Sequence, residues 1–162
     1  MMIICLLIAA LLSSTTEAAE HHVGAAVTVD GSAGLVTRIP RFGAHVGATW
    51  VLSGAHDGLQ VDLGLQQYHA WDLWERFPAA SLSWSHGWGE RALRPYHAVG
   101  AGVALTALMP GALAPALPMI RLEGGAELHR HRLWARGGVA TFAVVPGPAL
   151  GAGPKLTVGA SF

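Results

Sequence analysis

At 162 residues the chain has room for one domain, and it is 52% hydrophobic but only 12% charged, roughly half the charged share of an ordinary water-facing protein. Its 10 Lys and Arg balance 10 Asp and Glu, so no basic field exists to attract nucleic acid and no polybasic segment to hold an anionic surface. The composition excludes a nucleic-acid binder, and it leaves a soluble domain short of charge.

The N-terminus departs from the rest. An apolar run from Met1 to Leu12 is followed by small polar residues and by a Thr16-Glu17-Ala18 or Glu17-Ala18-Ala19 ending of the kind a signal peptidase accepts. Residues 1–19 are therefore predicted to be a cleaved secretory signal, with 20–162 as the mature domain. The run is shorter than the about 20 residues a membrane-spanning helix needs. Cys5 is the only cysteine and does not follow the run, where an acylated lipoprotein cysteine would stand. The mature chain then has no thiol and no disulfide.

Beyond Ala19 the hydropathy repeats with period two, the signature of strands with unlike faces. Eight such segments are predicted, near 22–30, 38–52, 59–68, 79–88, 94–106, 118–128, 133–144 and 154–162. In the second, Phe42, Ala44, Val46, Ala48, Trp50 and Leu52 alternate with Arg41, Gly43, His45, Gly47 and Thr49. In the third, Leu59, Val61, Leu63 and Leu65 alternate with Gln60, Asp62, Gly64 and Gln66. The sixth sets Ile120, Leu122, Ala126 and Leu128 against Arg121, Glu123 and Glu127, and the last sets Leu156, Val158, Ala160 and Phe162 against Lys155, Thr157, Gly159 and Ser161. Each segment approaches the about 9–11 residues with which a tilted strand crosses a bilayer. The links "SGAHDG", "GERAL" and "HRHR" are expected to be short turns, and "HAWDLWERFP", "ALMPGALAPAL" and "VPGPALGAG" longer loops at the other end.

Cost decides which face meets lipid. A cationic side chain facing lipid at mid-bilayer destabilises a barrel by about 2–4 kcal/mol. Arg41, Asp62, Arg121, Glu123, Glu127, Arg136 and Lys155 should therefore point inward as a lumen charge network, leaving the apolar faces outside. A strand edge in hydrocarbon would leave backbone groups without partners, so the sheet must close. The expected architecture is an all-β, eight-stranded antiparallel up-and-down transmembrane barrel. A soluble sandwich or lipocalin-type barrel would need the opposite orientation and far more charge. Trp50, Trp84 and Trp88 fall on the outward phase near strand ends, where an aromatic girdle would lie.

On these residues the sequence resembles the small eight-stranded bacterial outer-membrane barrels of the OmpA/OmpX type, over essentially the whole mature chain. Leu156, Val158, Ala160 and the terminal Phe162 are similar to the signal by which the barrel-assembly machinery recognises its clients. "RPYHAVGAGVAL", Arg94 to Leu105, is similar to a Pro-Tyr and Gly-x-Gly strand of such barrels. The resemblance implies location in the outer membrane, with membrane lipid and the assembly machinery as partners. Its loops are shorter and richer in Ala and Pro than those of adhesive members.

An eight-stranded barrel is just wide enough for side chains to fill it, so the inward charges, with His22, His45, Gln60, Gln66 and the row Ser81, Ser83 and Ser85, imply a plugged lumen and a structural or surface-interaction role for a monomer. The lumen glycines Gly43, Gly47, Gly64, Gly100, Gly102 and Gly125 are the feature that favours the alternative, a narrow channel or carrier for small hydrophobic molecules. A lipid-modifying barrel enzyme is the third reading. It would need Ser, His and a carboxylate on one face, whereas alternation sets Ser83 and Ser85 inside and His86 outside, with His97 nearly opposite His86. No catalytic residue is assigned. The histidines of "HRHR" and His21-His22 are read as solvated rather than metal-binding, and no phosphate-loop or dinucleotide motif implies a cofactor.

Overall fold

The computed structural model describes residues 20–34, 40–54, 56–70, 73–105, 115–144 and 149–162. Within these, side chains 30–34, 40–42, 68–70, 73–75, 144 and 149 are left aside. The predicted signal, 1–19, lies outside the described residues. Eight strands run β1 (Glu20–Gly34), β2 (Pro40–Ser53), β3 (Asp57–Ala70), β4 (Leu73–Gly87), β5 (Leu93–Leu105), β6 (Ala116–Arg130), β7 (Leu133–Val144) and β8 (Ala149–Ser161). Each pairs antiparallel with its neighbours in sequence, and β8 returns to β1, closing the barrel.

Closure has a definite stagger. Stepping around the barrel by cross-strand partners, Val23 leads to Trp50, Val61, Leu82, Ala101, Ile120, Ala143 and Leu150, and Leu150 leads back to β1 not at Val23 but at Ala33. An offset of that size in an eight-stranded barrel tilts the strands by roughly 40° from the axis. From Val23 to Leu150 the path stays on the outward phase, and an even offset preserves the alternation of faces on closure.

Burial is inverted relative to a soluble protein. Val46, Leu63, Leu82, Ile120, Leu122, Val139 and Leu156 are all more than half exposed, whereas Asp62, Glu123, Glu127, Arg136 and Lys155 are buried. The only cluster of buried apolar side chains among the described residues is small, Phe77 and Ala104 with Phe142 against them, at the lumen end remote from the termini.

β7 spans the predicted 133–144, but β1, β4 and β6, at 15 residues each, are longer than alternation alone indicates, and this corrects the expected loop lengths. "HAWDLWERFP" is not a long loop: His69 pairs with Trp74 and Ala70 with Leu73, so β3 and β4 continue as a hairpin. Pro78 obscures this, since a residue without N–H is unexpected inside a sheet. Among the described residues, however, pairing of β4 with β5 begins at Ala79, so residues 73–78 have their partners in β3 and Pro78 lies beyond the β4–β5 ladder. "VPGPALGAG" is likewise largely strand, because β8 starts at Ala149. Pro154 lies within β8, and the ladder to β1 is interrupted between the pairs Thr28–Lys155 and Gly31–Ala152. At the other end, "HRHR" turns in two residues, with His131 in the left-handed region at φ 55°.

Candidate functional site: the lumen and the outer wall

Inward residues of six strands meet in one hydrogen-bonded system. Lys155 Nζ on β8 donates to Asp62 Oδ1 on β3 at 3.0 Å and to Glu123 Oε2 on β6 at 2.8 Å. Asp62 also accepts from Thr49 Oγ1 at 2.5 Å and Gln60 Nε2 at 2.6 Å. Tyr96 Oη donates to Glu123 Oε1 at 2.6 Å. Arg121 approaches both carboxylates, at 3.6 Å from Asp62 and 3.4 Å from Glu123. Nearer the termini, Glu127 accepts from Arg94 Nε at 2.6 Å and Arg136 Nε at 2.8 Å. Gln60 joins the two groups, because its carbonyl oxygen accepts from Arg136 Nη1 at 2.5 Å while its amide faces Asp62 and Glu123. The Arg136 guanidinium is covered by two aromatic faces, 4.4 Å from the Tyr96 ring centre and 5.2 Å from that of Trp134. Such faces lower the cost of burying a planar cation.

Six of the seven residues assigned to a lumen charge network come together here. The seventh, Arg41, pairs its backbone with Ser32, and its side chain lies outside the described residues. Arg94, Tyr96 and Trp134 belong to the network and are absent from the sequence-based set. Their alternation is legible, since each shares the inward phase of its strand. Arg94 and Tyr96 stand in a stretch valued for its Pro-Tyr and Gly-x-Gly pattern, and a tryptophan facing inward runs against the expectation of a girdle.

Gly64 and Gly102, with Gly24, are places where larger side chains fold over the wall, whereas at Gly47 and Gly125 a Cβ would meet the backbone of the neighbouring strand. A methyl at Gly24 would stand 3.1 Å from Trp134 Cζ3 and one at Gly102 only 2.8 Å from Met119 Cε, and at Gly64 it would run into the His45 imidazole. Close approach, not empty space, explains these three. On the far side of Arg121 there is a cavity of about 30 Å³ bordered by Thr28, His45, Gln66, Ser81, Met119 and Phe142. That is room for one or two waters.

The outer wall is different in kind. Leu156 and Val158 are exposed and Ala160 half-buried. Phe162, 78% exposed, exchanges backbone hydrogen bonds with His21, its amide reaching His21 O at 2.8 Å. Trp50, Trp84 and Trp88 take the outward phase at the end that carries the chain termini and short turns. There His86 pairs with His97. Trp88 stacks on His97 at 4.7 Å, and His86 Nδ1 lies 2.9 Å from Asp57 Oδ1. Ser81, Ser83 and Ser85 are buried inside the barrel, on the other side of the wall from that histidine pair.

No protein-family model matches the chain, and no curated protein matches it. Solved structures do. The N-terminal β-barrel domain of Pseudomonas aeruginosa OprF aligns with a TM-score of 0.51 at 17% identity, over 86% of this chain and 97% of that one. Neisserial surface protein A aligns at 0.58 and 10% identity, over 87% and 95%. Ail, the attachment invasion locus protein of Yersinia pestis, solved with the heparin analogue sucrose octasulfate, aligns at 0.58 and 10%, over 89% and 99%. All three are small eight-stranded outer-membrane barrels. With the same strand number and closure and an apolar outer wall, this chain has the fold of that class.

Proposed function

We propose that the protein is exported by residues 1–19, resides in the outer membrane as a monomeric barrel, and has a structural or surface-interaction role with its lumen closed by the charge network. The observation that carries this reading is Lys155. One buried ammonium on β8 is bonded to carboxylates on β3 and β6, so three separate parts of the wall are tied across the section a solute would have to traverse. The cavity beyond it, about 30 Å³, is of a size for water. A lipid-modifying role draws no support from the outer wall, where the His86–Asp57 pair has no serine beside it among the described residues.

Planar-bilayer recording of the purified protein tests the reading. The expected result is little conductance in the wild type and only a slight change in Arg136→Ala. A steady, ion-selective conductance in the wild type would favour the narrow channel instead. Fractionation supplies the second arm, in which the protein should sediment with the outer membrane. Deletion of Phe162, proposed as part of the assembly signal, should leave exported but unassembled chain. Wild-type protein soluble in the periplasm would overturn the placement altogether.

A further inference from the structure

At the end of the lumen that carries the termini, three potential ligands converge from strands that are not neighbours. One potential ligand atom from each of Glu20 and His22 on β1 and His129 on β6 lies within 4.8 Å of the other two. The two imidazoles are in edge contact, with ring centres 4.9 Å apart. His129 Nε2 is buried and has no hydrogen-bond partner among the described residues, an uncommon state for a polar atom. Its nearest carboxylate oxygen is Glu127 Oε1, 3.4 Å away. His22 is held firmly, stacked on Trp134 at 5.4 Å and with Nδ1 2.8 Å from Ser161 Oγ.

We propose that Glu20, His22 and His129 form a zinc site that braces β1 to β6 across the floor of the lumen. Two imidazoles and one carboxylate are a donor set that zinc takes with a fourth position left over, whereas calcium and magnesium select oxygen-only sites. The site takes the His22 tautomer whose Nδ1–H is donated to Ser161 Oγ, 2.8 Å away, which keeps the lone pair on Nε2, the atom 3.9 Å from Glu20 Oε2. Orientation of a ligand imidazole through its other nitrogen is the usual support in metal centres. Zinc bonds of about 2.0–2.1 Å require donor atoms nearer to one another than they stand here. Glu20, exposed, and His129, half-buried beside a turn, supply the movement, and the Ser53 hydroxyl 2.7 Å from His22 Nε2 gives way to the ion. Arg94 and Arg136 stand close by, but both are engaged by Glu127, so the carboxylate of Glu20 adds the negative charge the ion needs. A chain whose only cysteine is Cys5 gains by this route a cross-link that disulfides do not supply.

Zinc titration by calorimetry of the protein purified in detergent tests the site, with strand content followed by circular dichroism. One equivalent is expected to bind and to raise the thermal unfolding midpoint, while magnesium does neither. His129→Ala, at a half-buried position that should leave the fold intact, should abolish both effects. Ser161→Ala should weaken zinc by roughly tenfold or more through loss of imidazole orientation. His21→Ala and His131→Ala, at exposed neighbouring histidines, should bind zinc as the wild type does. Absence of zinc binding, binding that survives His129→Ala, or binding lost equally in His131→Ala would each overturn the proposal.

Discussion

The two halves of the lumen are built from the same eight strands and filled by opposite means. Toward the termini, long side chains interlock: Arg136 lies between Tyr96 and Trp134, Glu127 takes two guanidiniums, and Gln60 links them to Asp62 and Glu123. Toward the other end the wall carries Thr28, Ser81 and Gln66 around a cavity of about 30 Å³, capped by Met119 and Phe142. The difference teaches that buried charge is tolerated in this barrel where each ionised group finds partners at hydrogen-bond distance, since an unpaired one costs several kcal/mol. Where pairing ends, small hydroxyl residues and space for water take over.

Substitutions should rank along that division. The largest effect is expected for Glu127→Ala, which removes the buried carboxylate that Arg94 and Arg136 share in the densely filled half and should lower stability in urea by about 3–5 kcal/mol. A loss below about 1 kcal/mol would mean that water reaches those guanidiniums and that the two halves are less distinct than their contacts imply. Val46→Arg, 60% exposed on the outer wall, should follow with a loss of about 2–4 kcal/mol in a bilayer. The same change placed on the inward phase at Gln66 should be milder, and equal sensitivity would show the walls to be assigned the wrong way round.

Tyr96→Phe removes one charge-assisted bond but leaves Glu123 with Lys155 and Gln60, so about 2 kcal/mol should be lost in the unfolding midpoint. The smallest effect should be that of Thr28→Val. Its hydroxyl is buried beside the cavity without a partner among the described residues, and replacement should change stability by less than about 1 kcal/mol. A larger loss would show that an ordered water in the cavity, held by Thr28, is part of the structure, and would narrow the contrast between the halves.

Much of this arrangement is legible in the sequence, and for a simple reason. In a strand, side chains alternate between two faces, so once lipid forbids charge on one of them, the positions of Asp62, Arg121, Glu123, Glu127, Arg136 and Lys155 are settled locally, residue by residue. Pairing of the fourth and fifth strands through the "GERAL" turn likewise places His97 opposite His86. Strand ends are less legible. Pro78 reads as a stop, and it is the start of the β4–β5 ladder at Ala79, among the described residues, that shows how β4 passes through it.

By itself, then, the sequence determined the number of strands, their two faces and the inward sense of the charges, because each follows from a period of two and from the cost of placing a charge in lipid. Tertiary structure alone decided who meets whom. The stagger that carries Val23 around to Ala33 sets which levels of distant strands face each other. It brings Lys155 to Asp62 across 93 positions of sequence and His22 to His129 from β1 to β6. It also turns Gly24, Gly64 and Gly102 into seats for Trp134, His45 and Met119. Those pairings depend on the closure of all eight ladders at once, a quantity that no single strand contains.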